Sequence, residues 1–128
     1  MRRQTEIDGM AMELTSAVLG DIPMLAAKGV IDGDTCASLQ SALDRLAKAR
    51  HNIVFLDLSG VTGMDGAGLS VLRAWVQALG GRGWLGVIGA DAGISRLMED
   101  EGLLGHPNVR VFETKHAALV VTGERQST

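Results

Sequence analysis

The chain has 128 residues, the length of one domain, and its 46% hydrophobic content excludes a disordered polypeptide. Twelve Lys+Arg against 15 Asp+Glu give a net charge of -3, and with 3% aromatic residues and no Tyr there is neither a basic patch nor a stacking ladder for nucleic acid. No apolar run approaches the ~20 residues of a membrane span, Met1-Arg-Arg leads into Glu6 and Asp8 rather than an apolar signal segment, and the single Cys36 excludes an internal disulfide. A cytoplasmic protein that does not enter a membrane or bind nucleic acid directly is expected.

One domain is expected over 1–128, with its core at about 12–122 and mobile tails at 1–11 and 123–128. Glu13 to Leu19 and Met24 to Ile31 read as two strands. Gly20-Asp-Ile-Pro23 between them reads as a turn, which makes a hairpin. Ile31-Asp-Gly-Asp34 breaks the chain, and Asp34 or Thr35 can cap a helix to about Ala49. Its apolar positions Cys36, Leu39, Leu43 and Leu46 recur at spacings of three and four. Ser38, Ser41, Arg45 and Lys48 fall on the wet side.

Ile53 to Leu58 is an apolar run broken only by Asp57, as expected for the covered centre of a parallel sheet. A small-residue turn comes next, with Asp65 placed to cap a helix from about Gly68 to Leu79. That helix carries Leu69, Leu72, Val76 and Leu79 on one face, widened by Val71 and Trp75. Ser70, Arg73 and Gln77 form a narrow polar stripe opposite. Gly80-Gly-Arg-Gly83 ends it.

Trp84 to Ile88 is the next strand. Asp91 can cap a helix from Ala92 to Glu101, with Ile94, Leu97 and Met98 inward and Gly102 as its stop. Asn108 to Phe112 is a last strand, and a helix from about Thr114 to Val121 closes the domain. The order β-β-α-β-α-β-α-β-α predicts an α/β fold: a mixed sheet of about five strands, with an opening hairpin and parallel crossovers, packed by about four helices.

Three landmarks in this order resemble the STAS family, in particular bacterial anti-sigma factor antagonists. Gly29-Val-Ile-Asp32 resembles the family's turn after the second strand. Phe55-Leu-Asp-Leu-Ser-Gly-Val-Thr-Gly-Met-Asp-Gly-Ala-Gly-Leu69 resembles its signature strand, loop and helix start. Ile94-Ser-Arg-Leu-Met-Glu-Asp-Glu-Gly-Leu103 resembles its later helix. The resemblance spans about Met12 to Val121. It implies a single STAS-like domain that is a binding module rather than an enzyme. The implied partner is an anti-sigma factor with a histidine-kinase-like ATPase fold, whose capture releases a sigma factor. As an alternative the resemblance offers a non-phosphorylatable, stressosome-like scaffold whose partners are STAS paralogues. A cytosolic subunit regulating membrane lipid or anion transport is the other role the family offers.

The family's switch is phosphorylation of a Ser or Thr just after the loop Asp. Here the position is Gly66, which has no hydroxyl. Phosphate would add about -1.5 to -2 charges there; without it, the loop is expected to stay open to a partner. Ser59, Thr62 and Ser70 are the nearby hydroxyls. The resemblance makes Ser59, Thr62, Gly63 and Met64 candidate partner contacts before the corner, and Asp65, Gly66 and Ala67 at it. Gly68, Leu69, Ser70 and Arg73 come after them on the helix, and Asp32 joins from the neighbouring turn.

No cofactor, metal or catalytic residue is assigned. Gly63, Gly66 and Gly68 match neither Gly-x-Gly-x-x-Gly nor a P-loop, and serve a tight turn instead. His51, His106 and His116 share no ligand spacing with one another or with Cys36. Cys36 sits at a core-facing helix position, and Trp75 and Trp84 read as packing residues.

Overall fold

The computed structural model describes residues 12–79 and 82–127, without the side chains of 122–127. The expected tail at 1–11 and half of the Gly80–Gly83 stop lie outside the described residues. β1 (Met12–Leu19) and β2 (Ile22–Ile31) form the opening hairpin, in register from Leu19↔Ile22 to Met12↔Gly29. Its turn is only Gly20-Asp21, shorter than expected, and Pro23 lies inside β2 opposite Val18. Proline is tolerated there because β2 takes up its second neighbour only at Met24↔Phe55.

The chain continues as α1 (Cys36–Lys48), β3 (Ile53–Met64), α2 (Gly66–Leu79), β4 (Trp84–Ile88), α3 (Ala92–Asp100), β5 (Val109–Phe112) and α4 (Lys115–Ser127). The five strands lie in the order β1-β2-β3-β4-β5, and every pair after the hairpin is parallel. This is the mixed sheet with four helices that the pattern predicts. α4 continues to Ser127, past the Val121 at which the sequence pattern ends it.

Alternation along the strands divides the core into two. Leu25, Val54, Leu56, Leu58, Leu85 and Val87 point to the face covered by α1, α2 and α3, where they meet Leu39, Leu43, Leu72, Val76, Ile94 and Met98. The wet side of α1 is exposed as the spacing requires. On the other face Met24, Phe55, Trp84 and Ile88 pack beneath Ala118 of α4. Phe55 meets Trp84 and Phe112 edge-on at 5.6 and 5.8 Å between ring centroids, and the Arg110 guanidinium sits 4.8 Å over Trp84. Trp75 is also internal: its indole N–H donates to the Leu43 carbonyl at 3.2 Å, tying α2 to α1.

The ends of α3 match the sequence pattern closely. The Asp91 carboxylate accepts from the Ile94 N–H at 2.8 Å. At the other end Gly102 turns left-handed (φ 78), its N–H reaches Glu99 O, and the Leu103 N–H reaches Met98 O. Leu103 is thereby delivered into the core.

Candidate functional site

β4 pairs with β3 only as far as Asp57↔Ile88, whereas the β2–β3 ladder runs on to Ile31↔Met64. The segment 58–64 therefore extends past β4 as the outer part of a two-stranded ribbon. The sequence pattern alone ends β3 at Leu58 and makes residues 59–64 part of a turn; the structure corrects this. Val61 and Thr62 favour a strand, but Gly60 and Gly63 interrupt the pattern, and β2 supplies the ladder that holds the segment extended. Two irregularities in the register, after Ala26 and after Gly29, bend the ribbon as it leaves the sheet.

Asp57 marks the point where β3 parts from β4. It is 4% exposed on the α4 face. One of its oxygens accepts from the Ser59 N–H at 2.9 Å, and the other lies 3.5 Å from Lys115 Nζ of α4. A buried carboxylate needs such partners to offset its lost hydration. The pair is absent from the sequence expectations, although the signal was there: a lone acid in an apolar run.

At the ribbon's tip the Asp65 N–H donates to Ile31 O at 3.1 Å, adding one more rung. The Asp65 side chain then accepts from the Ala67 N–H at 2.9 Å and the Gly68 N–H at 3.3 Å, which caps α2 as expected. The turn is thus a single residue, and α2 begins at Gly66, two residues earlier than predicted. A Cβ on Gly68 would stand 2.7 Å from Ile31 Cγ2 and 3.2 Å from Ile31 O, so glycine is what lets α2 start against β2. Gly66 is different: nothing lies within 4 Å of where its Cβ would be.

The neighbouring turn is built around Asp32. Its carboxylate accepts from the Asp34 N–H at 2.9 Å and the Thr35 N–H at 3.1 Å. Thr35 occupies the N-cap place of α1, but its side chain makes no cap bond. Its hydroxyl donates back to Val30 O at 2.8 Å and accepts from the Asp32 N–H at 2.9 Å. Asp32 organises the turn, in place of the Asp34 or Thr35 cap that the sequence suggests.

The predicted contact residues fall into three groups. Ser59, Thr62, Asp65, Gly66 and Ser70 are exposed, and Gly63, Met64 and Ala67 are half-buried beside them. Gly68 and Leu69 are buried and shape the corner from inside. Asp32 and Arg73 are half-buried and already engaged, Asp32 in its turn and Arg73 with Glu101 O at 3.0 Å and Glu101 Oε1 at 3.1 Å. Cys36 is half-buried at the start of α1, its thiol 3.8 Å from Gly33 O. Among the described residues no three His, Cys, Asp or Glu side chains converge on a metal-sized site, and no helix is long and apolar enough to cross a membrane. What the corner offers is an exposed, largely uncharged ledge with one acid at its tip.

No curated protein sequence matches the chain. Among solved structures, an anti-sigma factor antagonist from Mycobacterium paratuberculosis superposes with a TM-score of 0.77 at 22% identity, covering 87% of this chain and 93% of that one. The Bacillus cell fate determinant SpoIIAA in its phosphorylated form gives 0.65 at 14% identity, over 87% of this chain and 99% of that one. A sulfate transporter family protein from Wolinella succinogenes gives 0.68 at 18% identity, over 82% and 87%. At these identities the likeness is one of fold. The family model described as "Mlab, STAS domain" matches residues 15–124, the ribbon, the corner and both helical layers included. The chain belongs to the STAS domain family.

Proposed function

We propose that this STAS domain is an anti-sigma factor antagonist that works without phosphorylation at the usual loop position. It docks the Asp65–Gly66 corner and the first turns of α2 on a kinase-like anti-sigma factor in the cytoplasm, and so frees a sigma factor. The observation that carries this reading is the open space at Gly66, at the exposed tip of the two-stranded ribbon. A partner surface can approach the backbone there, and with no hydroxyl at Gly66 phosphorylation cannot close the ledge at that position. The fold shared with two anti-sigma factor antagonists, that from Mycobacterium paratuberculosis and SpoIIAA, supports it. Ser59, Thr62, Met64, Asp65, Ala67 and Ser70 would frame the contact. The role is one of binding, with no chemistry asked of the chain.

The test is affinity capture of the tagged protein from its own cells, with the captured proteins identified, for the unaltered chain and two variants. Gly66→Glu places a charge and bulk at the tip; Gln40→Glu places the same charge on the exposed face of α1. Recovery of a kinase-like anti-sigma factor that Gly66→Glu abolishes and Gln40→Glu leaves intact is the expected result. Equal recovery with both variants would remove the corner from the interface.

A second reading rests on the shared fold with a sulfate transporter family protein. In it the same corner docks on a subunit of a membrane transport system. Recovery of transport proteins in that capture, in place of an anti-sigma factor, would establish it.

A further inference from the structure

At the opposite end of α2 from the corner, α1 and α2 diverge around a groove of about 510 Å³. Its walls are two facing stripes. Leu43, Asp44 and Ala47 line it from α1, and Val71, Ala74, Trp75 and Ala78 from α2. The spacings of three and four turn each set to one side of its helix. The groove exists because Ala47, Ala74 and Ala78 are small where larger side chains would close it. Its volume lies within the ~300–1,000 Å³ typical of small-molecule sites.

Two arginines, Arg50 and Arg82, are in the groove's lining against the single acid Asp44. Neither arginine forms an ion pair among the described residues. Among the described residues the Arg82 side chain donates to the Leu79 carbonyl alone, at 3.5 Å through its Nε–H.

Arg50 carries a second, independent signal. It is the one non-glycine residue with positive φ (69) among those described. The Arg50 N–H reaches Ala47 O at 2.9 Å and the His51 N–H reaches Leu46 O at 3.0 Å. This is the same helix-ending motif that Gly102 provides for α3, and the position is one that glycine fills without strain. A long cationic side chain held in a strained backbone conformation points to a role for its charge.

We propose that the groove binds a small amphipathic anion, its apolar body on the alanine-lined floor and its head group between Arg50 and Arg82. Guanidinium groups suit a carboxylate, sulfonate or phosphate head, which they can hold with paired N–H donors. This site is separate from the proposed docking corner, and its test does not depend on that reading.

Decanoate is the probe, titrated into the 15N-labelled protein while the indole N–H resonances are followed. Trp75 lines the groove and Trp84 lies on the other face of the sheet, so the expected result is a saturable shift at Trp75 alone. Decanol and decylamine should bind at least about tenfold more weakly, the factor expected for losing one charge-assisted hydrogen bond. Arg50→Gly should weaken decanoate binding by a similar factor and yet raise the melting temperature by a few degrees, because glycine relieves the strained turn. Ala78→Leu, which fills the exposed side of the groove, should abolish the Trp75 shift in a folded protein. No Trp75 shift with decanoate, equal binding of decanol, or undiminished binding by Arg50→Gly would each overturn the proposal. A lower melting temperature for Arg50→Gly with unchanged decanoate binding would reduce Arg50 to a complement of the α1 dipole.

Discussion

Gly68 and Ile31 approach so closely that a methyl group on Gly68 would stand 2.7 Å from Ile31 Cγ2. This contact brings the first turn of α2 against the end of β2, and it fixes the direction in which the helix leaves the ribbon. Gly68→Ala should therefore destabilise the domain by ~1–3 kcal/mol through overpacking. Gly66→Ala, two residues away in open space, should change stability by less than about 0.5 kcal/mol or raise it slightly. Urea denaturation of both variants measures the difference, and equal effects would contradict the distinction drawn between the two glycines.

Asp65 caps α2 with its carboxylate and also stands at the ribbon's tip. Asp65→Ala should lose ~1 kcal/mol of stability. Asp65→Asn retains a capping oxygen and should lose only a few tenths. If the corner is the docking surface, Asp65→Asn should still weaken partner capture while melting close to the unaltered protein. Stability and capture that fall in parallel across both variants would mean that Asp65 serves only the fold.

The Asp57–Lys115 pair is asymmetric. The carboxylate is 6% exposed at its side chain and the lysine 56%. Asp57→Asn frees a lysine that water can accommodate, at under about 1 kcal/mol. Lys115→Met strands the acid beneath α4 with only the Ser59 N–H, at ~1–3 kcal/mol. Thermal melts of the two variants should rank in that order; the reverse ranking would mean that the lysine contributes nothing to holding Asp57.

Arg73 and Glu101 join α2 to the end of α3 across the surface, with side chains 35% and 49% exposed. Such pairs contribute little, and the coupling energy from a double-mutant cycle should be ~0.2–1 kcal/mol and should shrink in high salt. A coupling well above that range would mark Arg73 as part of a larger network.

Much of the fold was legible because its signals are local. The spacing of Leu39, Leu43 and Leu46 turned α1 the right way round, and Asp91 announced the start of α3. The features that escaped depend on neighbours distant in sequence. The segment 59–64 is too broken by Gly60 and Gly63 to declare itself a strand, and it is held as one by 28–31 alongside. Thr35 looks like a cap in isolation, but Asp32 and Val30 O claim its hydroxyl first. At the candidate site Asp65 could be placed from sequence alone. The inward positions of Gly68 and Leu69, the tie of Arg73 to Glu101, and the groove between α1 and α2 all require knowing how helices from different parts of the chain are set side by side.

The strand order has a consequence for how the domain is made. Each strand pairs with the one that precedes it in the chain, so no rung of the sheet waits for more than one intervening helix and its loops. Each parallel pairing closes a loop of one helix, and because loop entropy grows slowly with length the cost of each step is bounded, although such pairings form more slowly than the hairpin. A sheet of this kind can grow strand by strand from the hairpin as the polypeptide leaves the ribosome. Only the face beneath α4, with Phe55, Trp84 and Asp57, must wait until α4 has followed the fifth strand.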